Sequence, residues 1–188
     1  PFEALRVGDL GDVPVVPAYI EETLRVIQDW AAGALDADAF PLAMGGDHSV
    51  VLPLLRAAAA KHGPVSLLQF DSHPDTWPTQ HGQPYGHGTP IRRAADEGLI
   101  DFSASVQVGI RGSVDAANDL DDARALGLRI IPMDEAAELG VAGVVGRQTA
   151  GDARQPVRPP RVRHWFRVAR RAHHCPPNRQ PPEVQPWT

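Results

Sequence analysis

At 188 residues, with 43% hydrophobic and 22% charged residues, the chain is long enough to bury the core of one α/β domain. No apolar run approaches membrane-spanning length and nothing resembles a signal peptide. The lone Cys175 excludes an internal disulfide, which fits a reducing, cytoplasmic setting. The formal net charge of −5 conceals an asymmetry: residues 1–150 carry 10 Lys and Arg against 21 Asp and Glu, whereas residues 151–188 carry eight Arg against Asp152 and Glu183.

The chain opens at Pro1 without an initiator methionine, which suits a fragment or a processed product. Ile20, Leu24, Ile27 and Ala31 recur at helical spacing, with Glu21 and Glu22 early and Gly33 just past the expected end. Residues 41–45 read as a short strand. Gly45 and Gly46 then permit a tight turn, and Asp47 or Ser49 can cap the helix predicted over 50–61, with Pro53 near its start. Gly63-Pro64 turns the chain into the next strand. This strand–helix–strand order with short connections predicts a right-handed crossover and a parallel sheet.

The most informative stretch follows, over residues 65–77. Val65, Leu67, Leu68 and Phe70 form an apolar run of strand length that breaks into Asp71, His73 and Asp75. Residues two apart on an extended backbone share a side, so Asp71 and His73 can face one point, and the turn at Pro74 can return Asp75 towards it. Open α/β sheets place their sites at such carboxyl ends of strands. The loop 78–90 is rich in Gly, Pro and His, as an irregular segment beside a site would be. Thr89 and Pro90 read as the cap and first residue of a helix running to Gly98. A strand is expected at 105–111, a helix at 115–126, a strand at 128–131 and a helix at 133–147. Arg111 suits either a pocket wall or a buried ion pair.

Gly45-Gly46-Asp47-His48-Ser49, followed by Asp71-Ser72-His73-Pro74-Asp75, closely resembles the ureohydrolase family, the arginase and agmatinase group. The segment from Gly86 to Asp101, the Gly109-Ile110-Arg111-Gly112 strand end and the Ile131-Pro132-Met133-Asp134-Glu135 turn are similar to the agmatinase branch. Val7 to Val13 resembles the strand and loop that precede the first motif there. The resemblance implies a three-layer α/β/α fold with a mainly parallel sheet, truncated here. It implies that His48, Asp71, His73 and Asp75 are ligands of a two-manganese centre, and that His87 shuttles a proton. The activity implied is hydrolysis of a small guanidino compound to urea and an amine, agmatine first, in an enzyme that assembles as a homo-oligomer, without membrane or nucleic-acid partners. His81 has no counterpart in the family pattern, and no substrate-binding residue is identified.

The resemblance covers residues 7–150 and then stops. Where the family has a strand bearing Asp-x-Asp, this chain reads Arg154-Gln155-Pro156-Val157-Arg158-Pro159-Pro160-Arg161, and no Asp-x-Asp follows Ala150. Residues 1–150 are therefore read as a partial ureohydrolase domain and 151–188 as an Arg- and Pro-rich tail. A disordered tail, a nucleic-acid arm and a frame change near Val157 compete for that tail, and the frame change is preferred. Without both aspartates the expected centre is damaged: one ion keeps His48, Asp71 and Asp75, the other only Asp71 and His73. The alternatives from other classes are a catalytically inactive relative acting as a metal-binding or interaction module, and a single-metal, deacetylase-like amidohydrolase. The Gly-Gly-Asp-His-Ser motif and the His87 loop argue against the latter.

Overall fold

The computed structural model describes residues 8–112, 114, 116–149 and the pair Ala169–Arg170. The readings of the Arg- and Pro-rich tail as disordered, a nucleic-acid arm or frame-shifted fall outside the described residues. Helix α1, Ile20–Asp36, buries Leu24, Ile27, Ala31, Ala34 and Leu35, the face that the periodicity predicts. It does not stop at Gly33. Ala34 and Leu35 continue the buried stripe, and Lys61 Nζ donates to the Leu35 carbonyl, so the extra turn has both packing and a bonded end. Residues 8–13 are irregular, with Asp9 Oδ1 accepting from Gly11 N at 2.9 Å: the loop of the expected strand and loop is there, and no strand is among residues 8–13.

Strand β1 is only Met44–Gly45, shorter than the expected 41–45; Pro41 has no N–H to offer a ladder. A single 3-10 turn, His48–Val50, leads into α2, Val51–His62, and Asp47 Oδ1 caps the turn by accepting from Ser49 N at 2.7 Å. Helix α2 is buried on two sides. Leu54 and Ala57 pack on Ile27, Ala31 and Leu35 of α1, whereas Val51, Leu52 and Leu55 join Leu24, Ile91, Ile100 and Leu128. The helix ends at Gly63, whose φ of 78° suits glycine.

Strands β2 (Leu68–Phe70), β3 (Val106–Ile110) and β4 (Arg129–Pro132) form a parallel sheet in the order β2-β3-β4. Side chains alternate across it as strand geometry demands. Leu67 and Ile130 face the cluster built by α1, α2 and α3 (Pro90–Asp96), to which Ala123 of α4 (Asp119–Ala125) also belongs. Leu68, Val106, Val108 and Ile131 face the other way, onto Ala136, Leu139 and Val144 of α5, Met133–Thr149. The result is the expected three-layer α/β arrangement with a parallel sheet. Among the described residues β1 does not join this sheet; it pairs in parallel with β5, Ala169–Arg170.

Two helices differ from the sequence reading. Helix α4 begins at Asp119 rather than 115, because Asp119 N bonds to the Ala116 carbonyl and Asp119 Oδ2 accepts from Ala116 N, closing a turn first. Helix α5 is broken at Gly140 (φ 61°, ψ 177°), a conformation that glycine tolerates. No helix among the described residues is long and apolar enough to cross a membrane.

Candidate metal centre

Three of the four predicted ligands converge. His48, at the start of the turn into α2, meets Asp71 and Asp75 from the loop after β2, and one ligand atom from each lies within 4.8 Å of the others. All three side chains are buried. His48 Nδ1 is turned onto Asp75 Oδ2 and stands 3.9 Å from Asp71 Oδ2. A ring nitrogen facing two carboxylate oxygens in a buried site is a donor set that fits a cation between them. Two hard oxygens with one imidazole suit a divalent ion such as manganese or zinc.

The backbone that builds this posture is over-determined. Asp71 N donates to the Val108 carbonyl at 3.2 Å, His73 N to Asp71 Oδ1 at 3.0 Å, and Ile91 N to the Asp75 carbonyl at 3.1 Å. The Ser72 carbonyl accepts from both Arg111 N and Gly112 N. Asp75 itself has a φ of 52°, a left-handed conformation that Asp adopts more readily than bulky residues. The turn after Pro74 is therefore what aims its carboxylate at His48.

His73 is not in the compact group. Its Nδ1 lies 3.8 Å from Asp71 Oδ1, on the opposite oxygen from His48, and 3.0 Å from Ser72 Oγ. Asp71 thus presents one oxygen to each histidine. The Cδ2–Nε2 side of the His73 ring lies against Gly112, where an added Cβ would fall 2.3 Å from both atoms and 2.9 Å from the Ser72 carbonyl oxygen. Gly112→Ala is accordingly expected to displace His73 and weaken Mn2+ binding about tenfold, read by titrating free Mn2+ with electron paramagnetic resonance. An unchanged affinity would mean that His73 takes no part.

His87 is exposed in the loop before α3, and its Nε2 lies 2.7 Å from Gln80 Nε2. Because Gln80 Oε1 accepts from Gly88 N at 3.1 Å, the Gln80 amide donates to His87, which leaves the ring proton on Nδ1. Gly86 and Gly88 are flat for a reason: a Cβ would meet Gln80 Oε1 or the Trp77 ring at 2.4 Å. Trp77 Nε1 in turn donates to the buried Asp119 at 2.9 Å. Thr89 does not use its side chain to cap α3; its Oγ1 bonds back to Gly86. His81 and Gly82, both at positive φ, make the tight turn between Gln80 and Gln83, a structural duty. Arg111 is exposed and donates to the Gly109 carbonyl, so it is not the buried ion pair entertained from sequence.

Sequence reasoning missed Gln69 and Gln107, which are buried side by side on neighbouring strands beneath the ligand loop. The available signal was a lone amide in each of two otherwise apolar strands, Leu-Leu-Gln-Phe and Val-Gln-Val-Gly-Ile.

The molecule is an α/β protein with a parallel sheet and, at the carboxyl end of β2, a His, Asp, Asp group that fits a metal site. The model of the arginase family matches residues 1–157. The chain is 46% identical over 142 residues to the guanidinopropionase of Pseudomonas aeruginosa, covering 75% of this chain and 44% of that protein. It is 41% identical over 154 residues to the mitochondrial agmatinase of Gallus gallus, covering 81% and 45%. The structure of proclavaminate amidinohydrolase from Streptomyces clavuligerus superposes with a TM-score of 0.75 at 39% identity, over 83% of this chain and 50% of that one. This chain belongs to the arginase family of ureohydrolases, and it spans less than half the length of the two relatives matched by sequence.

Proposed function

We propose that this chain carries the cation-holding loops of a hydrolase that releases urea from a small linear guanidino compound. The observation that carries this reading is the convergence of His48, Asp71 and Asp75 in a chain so close to guanidino-compound hydrolases. His48, Asp71 and Asp75 would hold one divalent ion, and the second oxygen of Asp71 with His73 would hold another, manganese in both cases. Bound there, such ions acidify a water and offset charge developing on the guanidinium. His87, with its Nδ1 protonated and its Nε2 held by Gln80, would pass a proton to the departing amine.

The substrate we favour is agmatine, with the guanidino acids named by the other relatives as its competitors; the sequence around His87 supports the first and the 46% identity to a guanidinopropionase the second. On its own, this chain is proposed to hold its ions weakly and to turn over little, because two protein ligands at the second position leave most of the shell to water. The second reading, an inactive relative that keeps the cation site, is favoured by the family match reaching only residue 157. Urea release measured side by side on agmatine, guanidinobutyrate, guanidinopropionate and arginine separates these. Slow turnover of agmatine above the others is expected; preference for arginine would overturn the substrate class, and metal binding without any urea would favour the inactive relative.

A further inference from the structure

We propose that Gln107 and Gln69 form a buried amide relay that holds the Asp71–Asp75 loop in its cation-binding posture. Gln107 is wholly buried in the central strand β3, and Gln69 sits opposite it in the β2–β3 register, on the same face of the sheet. Gln107 Nε2 donates to Gln69 Oε1 at 2.8 Å and to the Pro74 carbonyl at 2.7 Å. Gln69 Nε2 points onward to the His73 carbonyl at 3.3 Å and to Asp71 Oδ2 at 3.4 Å.

The direction of this relay is fixed by what it meets. Pro74 and His73 offer carbonyl oxygens and Asp71 a carboxylate, all acceptors, so both amides must present nitrogen to the loop. Flipping either would oppose oxygen to oxygen in a buried place. Gln107 Oε1 is buried without a hydrogen-bond partner. An isolated strand residue would gain by being Leu here, since an amide with an orphaned acceptor is a costly way to fill a core. The bond to the Pro74 carbonyl, and the bond that turns Gln69 towards the loop, are the return on that cost. Because Pro74 cannot donate and Asp75 is at positive φ, the turn between them depends on outside bonds to keep its carboxylate on His48. Gln107 and Gln69 are thus positioning residues that act through Asp71 and Asp75.

The proposal rests on the metal reading above, and two readouts keep the failure of each distinct. In the metal-free chain, Gln107→Leu preserves volume, removes the orphaned oxygen and releases the loop. Amide hydrogen exchange at His73 and Ile91, whose N–H groups bond to Asp71 Oδ1 and the Asp75 carbonyl, should accelerate at least about tenfold, while Ile130 and Ile131 in β4 keep their protection. Mn2+ affinity should fall about tenfold, with the metal-free melting temperature little changed. Gln107→Glu, which sets a carboxylate against two acceptors, should fall further than Leu. A loop whose exchange is unchanged overturns the relay. Accelerated loop exchange with Mn2+ affinity within about twofold of the parent overturns its link to the cation. A parent chain that binds no Mn2+ at millimolar concentration overturns the metal reading itself.

Discussion

Asp71→Asn should abolish the rise in melting temperature expected of the parent chain on adding Mn2+, and should weaken Mn2+ binding by on the order of 100-fold or more, beyond what loss of a supporting residue costs. Asparagine keeps the size of Asp71 and the acceptor for His73 N–H, and of the loop's bonds loses the long Gln69 contact to Oδ2. What is lost is the charge that faces His48 on one oxygen and His73 on the other. The sign of the metal-free effect is opposite. Two carboxylates, on Asp71 and Asp75, share a buried group with one imidazole, and neutralising one of them relieves like-charge repulsion. The metal-free melting temperature should therefore hold or rise. Ligand linkage makes this measurable, because a ligand at 100 times its Kd adds about 2.7 kcal/mol to stability. Scanning fluorimetry with and without Mn2+ reads both signs, and a metal-dependent rise that survives in Asp71→Asn would remove Asp71 from the centre.

Leu52→Ala should destabilise the chain by about 2–5 kcal/mol, a large share of the roughly 5–15 kcal/mol that a domain possesses. Leu52 is almost wholly buried where α2 meets α1, α3 and the sheet, against Leu24, Ile91 and Leu128. The 3-10 turn carrying His48 leads directly into this helix, so the cavity should also loosen the candidate site, and Ile91 N, from the same cluster, bonds to the Asp75 carbonyl. Urea denaturation with a lowered midpoint and an unchanged slope is the expected outcome. A midpoint unchanged from the parent would mean that the helix is not packed as described.

Much of this was legible because apolar period and ligand chemistry coincide. The run Val65 to Phe70 ending in Asp71, His73 and Asp75 announced a strand and a ligand-bearing loop; the strand is shorter than that run, Leu68–Phe70, and Asp71 and Asp75 of the loop meet His48. Position along α1 was less legible at its end. Gly33 is a plausible stop by local preference, yet tertiary burial of Ala34 and Leu35 carries the helix through it. The extent of β1 and the break at Gly140 depend on partners and packing that a local pattern does not contain. The ligand geometry was only half visible. Period-two reasoning put His73 beside Asp71, but the strand ends at Phe70, and the loop turns His73 onto the other oxygen over Gly112. Gln69 and Gln107 escaped notice because their meaning lies in strand register, which brings together two amides 38 residues apart.

Crystals of the chain soaked in Mn2+, with anomalous diffraction recorded at the manganese edge, would locate the cation without reference to turnover. The strongest anomalous peak is predicted between His48 Nδ1, Asp71 and Asp75, with a weaker one between Asp71 and His73. A map with no peak at His48, or with manganese held only elsewhere on the chain, would contradict the assignment of this cluster as the metal centre.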